Sequence, residues 1–227
     1  TVSPTYAKEI QTLEYGFGLD GILRMRTEDI IGVLNGVDYS IWSPQNDNYI
    51  PYQYSYKELE KKNECKKMLQ EILNLPISNS PLFGVVSRLY WQKGIDILAN
   101  ALPEILTLDL QFVILGTGDP EYQRKLLDLQ NTYPDKIRVE IKFERDLSHK
   151  IIAGCDFIVM PSRYEPCGLT QMYAMAYGTI PIVRRTGGLA DTVKDITPIN
   201  IRKKEATGIS FKPLTPKTLI RSIGEAC

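Results

Sequence analysis

The chain has 227 residues, 43% of them hydrophobic and 24% charged, the balance of a globular protein rather than a disordered one. Twenty-seven basic side chains offset twenty-seven acidic ones, so the net charge of zero leaves no electrostatic footprint for nucleic acid or an anionic membrane. Apolar runs such as Phe112 to Leu115 stop far short of the ~18–20 residues that a membrane span needs.

Thr1-Val2-Ser3-Pro4 opens the sequence without a basic-then-apolar leader and reads as the middle of a longer gene product. Cys65, Cys155, Cys167 and Cys227 form no C-x-x-C pair and are too sparse for a disulfide scaffold, which favours reduced thiols in a cytosol. His149 is the single histidine and has no ligand cluster around it, so no metal is expected.

Along the chain, Ile30 to Leu34 predicts a strand ending in the turn Asn35-Gly36. A loop rich in Pro, Asn and Tyr follows, from Trp42 to Tyr54. Ser55 and Glu58 have capping-box spacing for a helix that buries Cys65, Leu69 and Ile72 and ends at Pro76. Leu82 to Ser87 is a continuous apolar run, as in a strand covered on both faces. A helix over 94–106 follows, with Ile95, Leu98, Leu102 and Ile105 on one side.

Strand and helix then alternate: strands at 111–115, 137–141, 157–160 and 180–183, helices at 121–130, 147–153 and 170–177, and a last strand at 207–211. This alternation predicts an α/β fold, a Rossmann-like parallel sheet with helices on both faces. In such sheets ligands bind at the carboxyl ends of the strands, so the loops there are where chemistry is sought.

Four of these loops stand out. Ser87-Arg88-Leu89-Tyr90-Trp91-Gln92-Lys93-Gly94 places two cations where they can close on one anionic group, or stand as solvated surface charges. Pro161 to Gln171 carries Glu165 just before a helix, with the N–H groups of Gly168, Leu169 and Thr170 available to a phosphate or sugar oxygen; the plainer reading is a helix start with a favourable acid. Arg184 to Asp191, with its paired glycines, is read as a structural turn. Gly116-Thr117-Gly118-Asp119 lacks the third glycine of a dinucleotide fingerprint and is read as a short connection. His149 is expected to be packed rather than catalytic, and the absence of an Asp-x-Asp pair removes a metal clamp on a diphosphate.

Thr1-Val2-Ser3-Pro4-Thr5-Tyr6-Ala7, Gly32-Val33-Leu34-Asn35-Gly36-Val37-Asp38 and Ser87-Arg88…Gln92-Lys93-Gly94 resemble bacterial glycogen synthases and plant starch synthases. Glu165-Pro166-Cys167-Gly168-Leu169-Thr170-Gln171 and Arg184 to Val193 resemble them too, in order and at compatible spacing along nearly the whole chain. The resemblance implies a retaining glucosyltransferase of the GT-B type, which moves glucose from ADP-glucose to the non-reducing end of an α-1,4-glucan. Residues 1–25 would be the end of the amino-terminal domain and the linker. Residues 26–227 would be the carboxyl-terminal nucleotide-sugar-binding domain, ending before the final crossover helix.

By the same resemblance, Arg88 and Lys93 hold the donor diphosphate and Glu165 lies beside the donor glucose, these three being the catalytic set. The amides of Cys167, Gly168 and Leu169 hold glucose hydroxyls, Thr170 lies by the phosphates, and Phe143 stacks on adenine where relatives have Tyr. Many retaining relatives carry a second Glu eight residues after the first; here that position is Tyr173, as in glycogen and starch synthases.

The implied partners are ADP-glucose or ADP, the glucan acceptor and the missing amino-terminal domain, with no cofactor, metal, nucleic acid or membrane. The implied setting is a bacterial cytoplasm or a plastid. The family's amino-terminal Lys-x-Gly-Gly motif is absent, so the chain alone is expected to bind nucleotide without transferring glucose. Two alternatives stand beside this reading: the ADP- or UDP-sugar-binding domain of another GT-B transferase, and a nucleotide-binding module without chemistry.

Overall fold

A computed structural model describes all 227 residues. The helices in chain order are α1 (Pro4–Glu9), α2 (Asp20–Met25), α3 (Glu60–Ile72), α4 (Ile95–Ile105), α5 (Pro120–Thr132), α6 (Arg145–Gly154), α7 (Thr170–Ala176), α8 (Gly187–Thr192), α9 (Pro198–Arg202) and α10 (Pro216–Gly224). The strands are β1 (Leu82–Val86), β2 (Gln111–Leu115), β3 (Ile137–Glu140), β4 (Phe157–Met160), β5 (Ile180–Arg184) and β6 (Ile209–Phe211). All six strands are parallel and lie in one sheet, in the order β3-β2-β1-β4-β5-β6.

The central strands are apolar throughout because both faces are covered. Phe83, Val85, Phe112 and Ile114 pack with α4, α5 and α10 in one layer, while Leu82, Val113, Leu115 and Ile158 pack with α3, α6 and α7 in the other. β1 and β4 pair over Phe83↔Phe157 and Gly84↔Ile158, where the winding of the sheet reverses. Gly84 is needed at this seam: a Cβ there would stand 2.8 Å from Cys155 Sγ and 2.9 Å from the Ile151 side chain on α6. Asp119 caps α5 by accepting from the Glu121 N–H at 2.8 Å, with Pro120 at the first helical position.

The amino-terminal residues dock against α8 and the turn that precedes it. Asp191 on α8 accepts from the Thr5 N–H and hydroxyl, and Glu9 Oε1 accepts from Thr186 Oγ1 and the Gly187 N–H. No helix is long and apolar enough to cross a membrane.

Four sequence expectations need correction. Ile30 to Leu34 is not a sheet strand. Val33 makes a single bridge to Val2, and the backbone of this segment bonds to Thr1 and Ser3, leaving Ile31 71% and Val33 64% exposed. Apolar β-branched content alone does not make a strand when no sheet edge lies beside it.

Ser55 does not cap α3. It forms an isolated turn with Lys57 and Glu58, and the helix starts at Glu60 without a side-chain cap. Its buried side runs Cys65, Lys66, Leu69 and Gln70, while Ile72 is 45% exposed. Lys66 is tolerated inside because Asp156 and the Ser80 carbonyl bond its ammonium at 2.7 and 2.8 Å, and Gln70 because it pairs with Gln111. The helix stops at Ile72, before Pro76, and the chain turns at Asn74, whose φ of 51° sits in the left-handed region where the Leu75 N–H reaches back to the Gln70 carbonyl.

Candidate functional site

Because the winding reverses between β1 and β4, the loops that follow these strands come side by side. Their contact depends on Gly94, at φ 68°, where a Cβ would fall 1.9 Å from the Pro161 carbonyl oxygen. The Arg163 N–H donates to the Gln92 carbonyl at 2.8 Å. The Arg163 guanidinium forks onto Asp96 at 2.5 and 2.7 Å and lies 4.3 Å from the Trp91 ring centre. Burial works to raise the Asp96 pKa, but the bonds and charge of Arg163 outweigh it and hold it low.

Across this junction Lys93 Nζ meets Glu165 Oε2 at 2.5 Å, and Ser162 Oγ donates to the same oxygen at 3.1 Å. Glu165 is 6% exposed and the Lys93 side chain 17%, so the ion pair is largely withdrawn from water. Arg88 has no carboxylate partner; its guanidinium bonds Gln92 Oε1 at 3.2 Å and lies 5.9 Å from the Tyr90 ring centre.

Arg88, Lys93, Ser162 and Thr170 together line a hollow of about 200 Å³ at the β1/β4 junction. Next to it, sharing Val86, Ser87, Arg88 and Thr170, is a larger cavity of about 450 Å³. It is walled by Trp42, Gly116, Thr117, the segment Lys142 to Arg145, and Tyr173. Gly116 is required here because its Cβ would lie 1.9 Å from the Ser87 carbonyl oxygen.

The structure therefore brings Arg88, Lys93 and Thr170 to one hollow and ties Glu165 to Lys93. Phe143 stands on the rim of the larger cavity, 94% exposed. Cys167, Gly168 and Leu169 follow Glu165 but line neither space. The N–H groups of Cys167, Gly168, Leu169 and Thr170 donate no hydrogen bond within the chain, whereas the carbonyls of Cys167 and Gly168 both accept from Gln171 Nε2. The loop thus satisfies its acceptors internally and keeps its donors, a polarity suited to an anion or a hydroxyl oxygen.

The Arg184 to Asp191 segment is a structural support. Gly187 and Gly188 lie so close to the preceding loop that a Cβ on either would stand 2.0 Å from the Glu165 carbonyl and 2.1 Å from that of Cys167. The Gly188 N–H then bonds the Glu165 carbonyl at 2.9 Å, which fixes the backbone behind the carboxylate. No group of three or more His, Cys, Asp or Glu side chains is placed to hold a metal ion.

Sequence reasoning missed Trp42 and its supports. Trp42 is sandwiched between His149 and Tyr173, with ring centres at 3.7 and 3.9 Å and planes within 9° and 3° of parallel. Behind it, Asp47 Oδ2 bonds His149 Nδ1 at 2.7 Å and accepts from the Tyr177 hydroxyl at 2.5 Å, all three residues being buried. Burial works to raise the Asp47 pKa, yet the bonds from His149, Tyr177 and the Tyr49 N–H together hold it below the ordinary value. The density of Trp, Pro and Tyr over 42–54 was the only available signal, since the partners lie on α6 and beyond.

Residues 71–226 match the family described as Glycosyl transferases group 1, and residues 1–25 match the starch synthase catalytic domain. The chain is 50% identical to the glycogen synthase of Fervidobacterium nodosum over 226 residues, 100% of this chain and 46% of that protein. It is 50% identical to the glycogen synthase of Thermotoga maritima over 227 residues, with the same coverages of 100% and 46%. The chain thus spans about half the length of the curated relatives it matches.

Among solved structures, the catalytic domain of starch synthase IV from Arabidopsis thaliana, bound to ADP and acarbose, superposes with a TM-score of 0.93 at 39% identity. That match covers 100% of this chain and 47% of the other. Sucrose-phosphate synthase from Thermosynechococcus elongatus, at 21% identity and a TM-score of 0.59 over 98% of this chain and 56% of its own, shares the fold.

Proposed function

Since the chain belongs to the group 1 glycosyl transferases, and within them to the glycogen and starch synthases, we propose that it is the donor half of an ADP-glucose-dependent glucan synthase. The enzyme would transfer glucose from ADP-glucose to the non-reducing end of an α-1,4-glucan with retention of configuration. The observation that carries this reading is the convergence of Arg88, Lys93 and Thr170 on one small hollow that opens into a nucleoside-sized cavity. The related starch synthase IV was solved with ADP, which supports the same ligand here.

In this reading the diphosphate sits between Arg88 and Lys93. As ADP departs, charge grows on a phosphate oxygen while the sugar becomes oxocarbenium-like. Cations already oriented by Gln92 and Glu165 stabilise that charge without reorganising, as water would have to. Glu165, with the free amides of Cys167, Gly168 and Leu169 following it, would lie along the donor glucose, and Thr170 by the phosphates. Phe143 on the rim would close over the base.

The acceptor site and the remainder of the transfer machinery would come from the half of the relatives' length that this chain does not span. The bacterial origin of those relatives supports a cytoplasmic setting.

Calorimetric titration of the 227-residue chain with ADP tests the proposal. Saturable 1:1 binding is expected, stronger for ADP than for UDP, and weakened in Arg88→Ala and Lys93→Ala. No binding of ADP at millimolar concentration would overturn it. Glucosyl transfer by this chain alone at the rate of a full-length relative would overturn the division of labour.

A further inference from the structure

The larger cavity has one soft wall and one hard one. Phe143 on the rim is 94% exposed and has no packing to fix its ring. Three parallel rings run from the interior to the cavity: His149, fully buried, then Trp42, then Tyr173. Both faces of the Trp42 indole are already covered, so it cannot itself stack on a ligand. What it does is hold the Tyr173 ring, the outermost member of the stack, against the cavity.

The stack is anchored at its inner end. The His149 ring cannot rotate without breaking its 2.7 Å bond to Asp47, whose other partners are the Tyr177 hydroxyl and the Tyr49 N–H. Tyr177 is fixed in turn because the Tyr54 hydroxyl donates to its carbonyl at 2.8 Å. The Tyr173 hydroxyl makes no hydrogen bond within the chain, which leaves it a donor and an acceptor at the cavity wall.

We infer that Tyr173, held by Trp42, is a contact for the nucleoside part of the bound nucleotide, and that Asp47 and His149 are positioning residues acting through the stack. This rests on the donor-binding reading above and deepens it: Arg88 and Lys93 take the diphosphate, while the aromatic ladder sets how the nucleoside lies. A rigid ring already in place costs a ligand no ordering entropy, whereas a mobile rim aromatic does. The arrangement therefore assigns nucleoside affinity to the cavity wall built by Trp42 and the first turn of α7.

The experiment compares ADP with inorganic pyrophosphate, which shares the diphosphate hollow and lacks the nucleoside. In Tyr173→Ala the Kd for ADP is expected to rise by at least about fivefold, the weak end of what an aromatic contact with a base contributes. The Kd for pyrophosphate should stay within about twofold in the same variant, since no phosphate contact is touched. His149→Gln keeps a bond to Asp47 but removes the ring, and should weaken ADP and spare pyrophosphate in the same way, with a cooperative melt retained.

Trp91→Phe leaves Trp42 as the only tryptophan, and its emission should change saturably with ADP and not with pyrophosphate. Unchanged ADP affinity in Tyr173→Ala, or equal losses for ADP and pyrophosphate, would overturn the inference while leaving the donor-binding reading in place. A wild-type chain that binds neither ligand would remove both.

Discussion

Lys93 Nζ and Glu165 Oε2 are 2.5 Å apart, so a cation that lines the small hollow at the β1/β4 junction is already bonded to the carboxylate of the opposite loop. The pair both orients Lys93 and dilutes its charge. Lys93→Ala should therefore weaken ADP binding by about 10- to 100-fold, the range for loss of a charge-assisted bond. Glu165→Gln should do the reverse and tighten ADP severalfold, because the ammonium is released from its neutralising partner. Titrations of both variants at low and high salt check the signs.

Gly94→Ala tests the junction of the two loops. The new methyl would meet the Pro161 carbonyl at 1.9 Å on a residue whose φ is 68°. A left-handed alanine costs about 1–2 kcal/mol and forced overpacking about 1–3 kcal/mol more. A loss of about 2–5 kcal/mol in urea denaturation is expected, with ADP binding reduced further than the stability change alone explains.

Asp47 gives a pH signature. Its carboxyl is held below the ordinary aspartate value of about 3.9, so the folded state binds its proton less readily than the unfolded one. The stabilisation is complete above that value and drains away as pH falls through the depressed folded one. Asp47→Asn should cost about 1–3 kcal/mol at pH 7. The gap to wild type should narrow below about pH 4, measured by urea denaturation across pH 2–7.

Lys62 has a slope of the same sign in an alkaline window, from a buried charge that is penalised rather than stabilised. Its ammonium donates to the Ala153 carbonyl and Thr179 Oγ1 at 2.7 and 2.6 Å, with no carboxylate bonded to it, and burial lowers its pKa to about 8. Between pH 8 and the ordinary lysine value of about 10.4 the unfolded chain binds the proton that the folded chain has lost, so stability rises with pH there. Lys62→Met should flatten that rise, which amounts to about 1.4 kcal/mol per pH unit at most.

How much of this was legible in sequence follows from the range of each interaction. The six sheet strands were readable because the central ones are short apolar runs and the edge strands β3 and β6 alternate apolar with polar residues, and the loops at their carboxyl ends followed from topology alone. Arg88, Lys93 and Thr170 could be expected near one another once β1 and β4 were placed at the point of reversal. Ile30 to Leu34 misled because strand propensity carries no information about a pairing partner, and here only Thr1 to Ser3 was at hand. Ser55 had the right spacing for a cap, yet the chain turns before the helix begins.

The Asp47–His149–Trp42–Tyr173 assembly was invisible for a different reason. Its members come from a loop and two helices far apart in sequence, and each residue type taken singly has a common packing explanation. Lys66 and Gln70 on the inner side of α3 were hidden in the same way, since their partners Asp156 and Gln111 belong to other parts of the chain.

The short pairing of β1 with β4 has a mechanical meaning. Two registered residue pairs make this the thinnest suture in the sheet, and it joins the two βαβ wings that flank it. A nucleotide gripped by Arg88 and Lys93 from one wing and by Thr170 from the other would straddle that suture. Occupancy would then reinforce the domain where it is most easily parted, so that ligand and wings resist unfolding as a single body.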